Sequence, residues 1–343
     1  MADYSEHKNI VLYDLETNGL DYKTTGIMQM AIISCDNKSS DLSDLSDLSD
    51  LSDLSDLSDL SSNKYDIILN KYVYPFDDRV DGTEIHGIDR QKLIDNNAIQ
   101  TVELCQLVKD TLRTRFGRED VYFLAYNNFG YDQIILENNF KICNIKMPSN
   151  WYFIDLYPII KEAYPQIKPN HKLATVYKTL CADDSDIQFH CALADTTCLY
   201  HILNYVKADG KASLLDKYTR PLLQHPNIKL APIHTLNGYF HKMSLERKGL
   251  STIGDMYKIY AETGYDNITF KNHLQTKYGL YGTYFLDNMI KNLDMIRHLS
   301  KTDKTDKTDK TAKTDKTDKT DKTDKTESNK NKSLNSVLGK HDR

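Results

Sequence analysis

The apolar residues of this chain fall into two rhythms. Short, nearly unbroken apolar runs appear at "NIVLYDLE" (9–16), "GIMQMAIISCDN" (26–37), "YDIILNKYVYP" (65–75) and "VYFLAYN" (121–127), and "WYFIDLYPII" (151–160) opens on another. Runs of this length, rich in β-branched and aromatic residues, predict buried strands. Other segments space their apolar residues by three and four. In "TVELCQLVKDTLRTRFG" (101–117) they fall at Val102, Leu104, Cys105, Leu107, Val108 and Leu112, the spacing of one helical face. "YDQIILENNFKI" (131–142), "HKLATVYKTLC" (171–181) and "ALADTTCLYHILNYV" (192–206) also predict helices. The order β-β-β-α-β-α-β-α-α implies an α/β protein: a mixed five-stranded sheet with helices on both faces.

Two tracts break both rhythms. "DLS" is repeated seven times over residues 41–61, and "KTD" triplets fill 301–326. A period of three suits neither a helix nor a strand. The first tract falls between the second and third strands. It is expected as an insertion (40–61) at a hairpin tip, where added loop length costs little. The second tract has no apolar residue beyond one Ala and predicts a disordered tail over 300–343. Residues 8–206, less the insertion, then read as one domain, and 227–299 as a small basic helical one.

Composition narrows the setting. The six cysteines (Cys35, Cys105, Cys143, Cys181, Cys191, Cys198) are scattered without a CxxC. That argues for free thiols in a reducing, intracellular compartment, cytoplasmic or nuclear, and against a zinc knuckle. No run of eighteen apolar residues occurs, so no membrane span is predicted. The polar start "MADYSEHKN" lacks the apolar centre of a secretory signal. The formal net charge is −5, but the DLS tract holds seven Asp and no cation, which leaves the remainder at +2. Residues 211–300 hold twelve Lys/Arg against seven Asp/Glu. A slightly basic body is compatible with a polyanionic partner.

The candidate chemistry gathers where acids interrupt apolar runs. Asp14 and Glu16 stand two apart on the first strand and share a face with Ile10 and Leu12. Two carboxylates on a buried face repel and lose hydration, and a divalent cation relieves both penalties. Oxygen-only ligation suits Mg²⁺ or Mn²⁺ rather than Zn²⁺. Alone, D-x-E reads equally well as a strand running out into a solvated turn. A further acid, Asp132, ends "FLAYNNFGYD", where it also suits the start of a helix. Asp195, in "FHCALADTTCLYHIL", shares a helical stripe with Cys198, Leu199 and Ile202. That stripe should face the sheet, and an acid there needs a partner. His190 lies five positions earlier, on the loop before the helix, free to reach the same site.

D-x-E-T-x-G-L (14–20), then N-x-x-[YF]-D (128–132), then H-x₄-D (190–195), in that order, resembles the DEDDh family of 3′→5′ exonucleases. "TEIHGID" (83–89) is similar to a turn that one branch of that family carries between its first two motifs, and "HKLATVYKTLC" to the helix before its third. The resemblance implies a ribonuclease H-like fold and hydrolysis of nucleoside 5′-monophosphates from the 3′ end of DNA or RNA, single-stranded ends being favoured. It implies two Mg²⁺ or Mn²⁺ ions held by Asp14, Glu16, Asp132 and Asp195, with His190 as general base. Thr17 and Leu20 would line the terminal nucleotide, with His86 and Asn128 as further contacts. Two details depart from the pattern. Tyr131 stands where Phe is commoner, and "AYNNF" lacks the usual His, so Asn127 could take the place of Asn128.

Two other readings stay open. An inactive nucleic-acid-binding or tethering protein could keep the same fold, although all five motif residues are present. In the C-terminal region, "RKGLSTIGDMYKIY" (247–260) weakly resembles helix-hairpin-helix elements, whose backbone amides grip phosphate, which would allow nucleic-acid contact there. The alternative is a packed helical domain without a ligand.

Overall fold

The computed structural model describes residues 9–35, 65–181, 187, 189–236, 245, 248–280 and 283–312, with backbone alone for 283–285 and 301–312. The DLS tract and residues 313–343 lie outside the described residues. The described residues up to Ser300 belong to one compact unit and those from Lys301 to a second.

Five strands arise where the apolar runs predict them: β1 (Ile10–Thr17), β2 (Ile27–Ser34), β3 (Asp66–Tyr74), β5 (Val121–Ala125) and β6 (Trp151–Asp155). Two short edge strands, β4 (Ile99–Gln100) and β7 (Thr219–Pro221), make the sheet seven-stranded rather than five, in the order β4-β3-β2-β1-β5-β6-β7. Segments of two or three residues carry no legible alternation, and Pro221 is tolerated because β7 is an edge. The β1–β2, β2–β3 and β6–β7 pairs are antiparallel, while β1–β5, β5–β6 and β3–β4 are parallel. This is the mixed α/β sheet, with helices on both faces, that the sequence predicts.

The helices are α1 (Thr83–His86), α2 (Arg90–Asp95), α3 (Thr101–Phe116), α4 (Asp132–Ile142), α5 (Leu156–Ala163), α6 (Leu173–Cys181), α7 (Ala192–Ala208), α8 (Ser213–Lys217), α9 (Ile253–Glu262), α10 (Asn267–Tyr278) and α11 (Thr283–Ala312). β1 is apolar on both faces because both are covered. Val11, Tyr13 and Leu15 pack in a core with α3 and α4. Ile10 and Leu12 pack in the opposite core, with α5, α6 and α7. A third core joins Ile253, Phe270 and Leu293 of the C-terminal helices to Ile134 of α4 and to Leu223. The helical residues between Asn227 and Ser300 therefore lie in the same compact unit as the sheet. α11 carries the first KTD triplets as helix, where disorder was expected; propagating an existing helix costs far less than nucleating one.

A buried arginine stands where these layers meet. Arg220 of β7 is fully buried and lies 4.1 Å from the centroid of the Phe129 ring. Its Nε donates to Gln133 Oε1 (2.7 Å), and its Nη groups donate to Thr235 O (2.5 Å) and Asn292 Oδ1 (2.9 Å). Burial pulls the guanidinium down to about 9, and the charges of Glu137 and Asp155 oppose that fall. Glu137, also buried, is pushed up to about 7 by burial and held back by the Leu223 N–H, Gln133 and Arg220. Removing one partner of a buried charge set leaves the others uncompensated. Arg220→Ala is therefore expected to lower the free energy of unfolding by about 3–5 kcal/mol, read from urea denaturation.

Candidate active site

The site forms at the C-terminal end of β1. Strand parity sends Asp14 and Glu16 to the same side as Ile10 and Leu12, the side covered by α7. A register shift between Glu16 and Thr17 turns the chain out of the sheet directly after the second acid. On β2, the residue opposite Glu16 is Gln29. Its buried side chain accepts from the backbone N–H of Ala192 (3.3 Å) and donates to Asn70 Oδ1 (3.1 Å). The first residue of α7 is thereby tied to the sheet beside Glu16, and the first turn of α7 carries Asp195.

The three carboxylates converge. One oxygen from each of Asp14, Glu16 and Asp195 lies within 4.8 Å of the other two. Asp195 Oδ2 accepts from the backbone N–H of His190 (3.1 Å), and its buried Oδ1 has no partner among the described residues. Burial pushes Asp14 well above the usual carboxylate range, and the charges of Asp195, Asp132 and Glu16 push it further. Glu16 rises to about 8, first through burial and then through Asp195 and Asp132. Asp195 rises to about 6 by burial, opposed by the His190 N–H. An oxygen-only cluster that resists ionisation and leaves a buried carboxylate oxygen unpaired fits a hard divalent cation.

Asp132 is not a member of this triad. It is buried at the N-terminus of α4, where its own backbone N–H and a backbone contact from Leu15 favour the charged form. Burial nevertheless raises it to about 8. Its charge reaches Asp14 and Glu16, so it belongs to the same electrostatic site. His190 sits on the loop before α7, exposed, with φ of 68°, a left-handed conformation that histidine tolerates better than most residues. It is the His190 backbone that bonds Asp195, leaving the ring at the surface.

The expected nucleotide contacts separate into two groups. Leu20 is 83 % exposed beyond the turn, and Thr17 is half-buried, in hydrogen-bond contact with the Tyr131 hydroxyl. His86 is buried at the end of α1, its Nδ1 accepting from Ile88 N–H (3.0 Å) and its Nε2 3.1 Å from Asp81 O. Burial lowers its pKa. Asn128 is fully buried, its amide donating to Phe123 O (3.1 Å) and Ile154 O (2.9 Å) while its Oδ1 accepts from Tyr13 (2.6 Å). These bonds tie the turn to the sheet. The neighbouring Asn127, half-buried with φ of 60°, is the asparagine nearer the surface.

In "RKGLSTIGDMYKIY", Ser251 and Thr252 N–H donate to Asp255 Oδ2 (3.0 and 2.8 Å), and Ile253 N–H donates to Ala231 O (2.9 Å). Asp255 completes a capping box with Thr252, so the helix start is closed by its own side chains.

Sequence reasoning also missed neighbours of the site. Asp155, at the end of β6, is buried and accepts from the N–H groups of Phe129 (3.1 Å) and Tyr157 (3.0 Å). An acid closing an apolar strand was its signal, the same one that marks Asp14. Lys291 of α11 donates to Gly130 O (2.9 Å), and burial lowers its pKa to about 8 against the pull of Asp132. Nothing in the pattern around Lys291 distinguishes it from other helical lysines.

The chain is similar to known exonucleases. The chain is 25% identical over 226 residues to the chloroplastic/mitochondrial exonuclease DPD1 of Arabidopsis thaliana, covering 64% of this chain and 62% of that protein. It thus spans less than two thirds of that relative's length. Among solved structures it is similar to E. coli exonuclease I in its zinc-bound complex with single-stranded DNA, at 18% identity and a TM-score of 0.43, covering 61% of this chain and 42% of that one. The same enzyme with a dA16 oligonucleotide gives 18% identity and a TM-score of 0.44, covering 61% and 43%. The family model for RNase T-type exonucleases matches residues 11–203, a stretch that contains the whole carboxylate cluster and more than half of the chain, and the protein belongs to that exonuclease family.

Proposed function

We propose that this protein is a metal-dependent 3′→5′ exonuclease of the DEDDh type, which removes nucleoside 5′-monophosphates from single-stranded ends of DNA or RNA. The observation that carries the reading is the convergence of Asp14, Glu16 and Asp195, with a buried oxygen left unpaired, inside an exonuclease-family domain. Asp14, Glu16 and Asp195 would hold one Mg²⁺ or Mn²⁺, and Asp14 with Asp132 a second. Such ions supply positive charge to the phosphoryl oxygens and acidify a water molecule.

The chain's own residues do the remaining work. An imidazole nitrogen of His190 accepts the proton of the attacking water, a role suited to histidine near neutral pH. The backbone bond to Asp195 fixes the point from which that ring reaches inward. Leu20 offers an exposed apolar surface to the terminal base, and Thr17 lies in the turn before it. His86 backs the turn, and Asn127 takes the nucleotide-facing place first given to Asn128. None of the six cysteines is in a disulfide, which fits a reducing intracellular compartment. Among the described residues no helix is long and apolar enough to cross a membrane.

Three outcomes test the reading. With 5′-labelled DNA and RNA oligomers, Mg²⁺ or Mn²⁺ should produce a ladder that shortens from the 3′ end, chelator should stop it, and Asp14→Ala should abolish it. A ladder from the 5′ end, or equal activity in the variant, would sink the proposal. Leu20→Ala should raise KM for oligonucleotides about 5- to 10-fold with melting unchanged, since its side chain is exposed.

The third outcome is a pH dependence. The native pKa values of Glu16 (about 8), Asp132 (about 8) and Asp195 (about 6) lie above their unfolded values. Between about pH 4 and pH 8 the native state then binds more protons than the unfolded one, so stability falls as pH rises. The melting temperature of the metal-free protein should drop across that window. Saturating Mg²⁺ or Mn²⁺ should restore it most at the alkaline end, and Asp14→Asn should weaken that response. A metal-induced shift that is independent of pH would count against the carboxylates as ligands.

A further inference from the structure

Two turns frame the carboxylate cluster, and one helix bonds to both. The first turn runs from Thr17 through Thr25. The second is Asn128–Gly130 with Tyr131, and it leads into Asp132. α11 lies far from both in sequence. Its Lys291 Nζ donates to Gly130 O (2.9 Å), and its Asn292 Nδ2 donates to Phe129 O (3.0 Å). Two successive carbonyls of the second turn are thus held by two successive residues of one helix. Asn292 is fully buried and also bonds Leu236 O (3.0 Å) and receives Arg220 (2.9 Å), so it cannot turn away.

The same helix reaches the first turn through Asp294. It accepts from the Tyr22 hydroxyl (2.8 Å) and pairs with Lys23 Nζ (2.5 Å). Lys291 itself lies over the rings of both Tyr22 and Tyr131, at 5.3 and 5.1 Å from their centroids. Tyr131 then closes the circuit. Its hydroxyl donates to Gly19 O (2.5 Å) and contacts Thr17 Oγ1. A Cβ at Gly130 would sit 2.6 Å from Asn127 Oδ1, so a side chain there would have to displace that amide. Each turn is therefore fixed to the other by Tyr131, and both are fixed from behind by Lys291, Asn292 and Asp294.

We propose that α11 is a working wall of the site rather than part of an appended module: Lys291 is a positioning residue that holds the Tyr131–Asp132 turn, and through Tyr131 the Thr17–Gly19 turn, in the geometry that receives the substrate end. The identity of that end rests on the exonuclease reading above, whereas the tie rests on the bonds alone. Lysine suits the post because its stem packs across two aromatic rings while the ammonium bonds a carbonyl. Supporting groups of this kind act on catalysis through the atoms they orient, and their loss typically costs about 10- to 100-fold.

The test uses the full-length protein. Lys291→Met keeps the stem over the rings and removes the donor; Lys291→Arg keeps a donor. By hydrogen exchange, Lys291→Met should speed exchange at Gly130 and Tyr131 and in the 17–25 turn, with β1, β5 and β6 unchanged. Unchanged exchange at those turns overturns the tie. On oligonucleotides, kcat should fall about 10- to 100-fold with a smaller change in KM, Lys291→Arg should recover part of it, and combining Lys291→Met with Tyr131→Phe should cost less than the product of the two single losses. Wild-type kcat and KM in Lys291→Met, or fully multiplicative losses, overturn the positioning role. If Lys291→Met does not fold, Tyr22→Phe, which deletes only the bond to Asp294, should speed exchange in the 17–25 turn; no change there overturns the tie on that side. If the wild type does not degrade 3′ ends, the exonuclease reading fails, and the exchange result still decides the tie.

Discussion

The mutual repulsion of carboxylates at the end of β1 is the constraint around which this protein is organised. Asp14 and Glu16 share a strand face, Asp195 is brought over them by the first turn of α7, and Asp132 contributes its charge from the start of α4. Burial raises all four acids above the usual carboxylate range, and neighbouring carboxylates raise Asp14 and Glu16 further. Such a cluster weakens the fold that carries it unless the rest of the structure fixes the acids in place. The acids accordingly sit on three rigid elements, and each element is locked by packing on a different side: β1 in the middle of the sheet, α7 against one face, α4 against the other.

The locking is local and specific. Gln29 ties the start of α7 to β2 beside Glu16, so the spacing between Asp195 and Glu16 is set by one side chain at the sheet surface. Asn128 ties the turn before Asp132 to β5 and β6 through two backbone carbonyls and to β1 through Tyr13. Asp155 holds the same turn through Phe129 N–H. The buried polar residues near the site are thus its scaffold, and the residues open to a ligand include His190, Leu20 and the half-buried Asp14, Thr17 and Asn127.

What the sequence reveals follows from how far the signal extends along the chain. Five strands and the main helices were legible because each repeats its period over several residues, and the three acid motifs because they interrupt those periods. The edge strands β4 and β7 were not, because two or three residues hold no period. The burial of Asn128 was not legible, because it depends on where β5 and β6 end, a fact of tertiary pairing. Nor was the local closure of residues 247–260, because a glycine-flanked turn looks the same whether its amides are free or, as here, taken by Asp255 and Ala231. Lys291 carries no sequence signal, since contacts across 161 residues are invisible to any local pattern.

That last point bears on how the fold divides labour. The acids come from elements whose positions the sheet determines, so they are placed by short-range geometry and are readable as motifs. The turns that would meet a substrate have no such frame, because the chain leaves the sheet at Thr17 and again after Ala125. A turn that leaves a sheet keeps its shape only if something behind it supplies bonds. Here Tyr131 joins the two turns and the C-terminal helix supplies the backing, its own position fixed by Arg220 and Asn292 in the core. Chemistry and support are therefore encoded in different ways: the first as compact strings near strand ends, the second as single residues distributed over the last helix. A truncation after α7 or α8 would keep every motif and still lose the bonds that shape the turns around them.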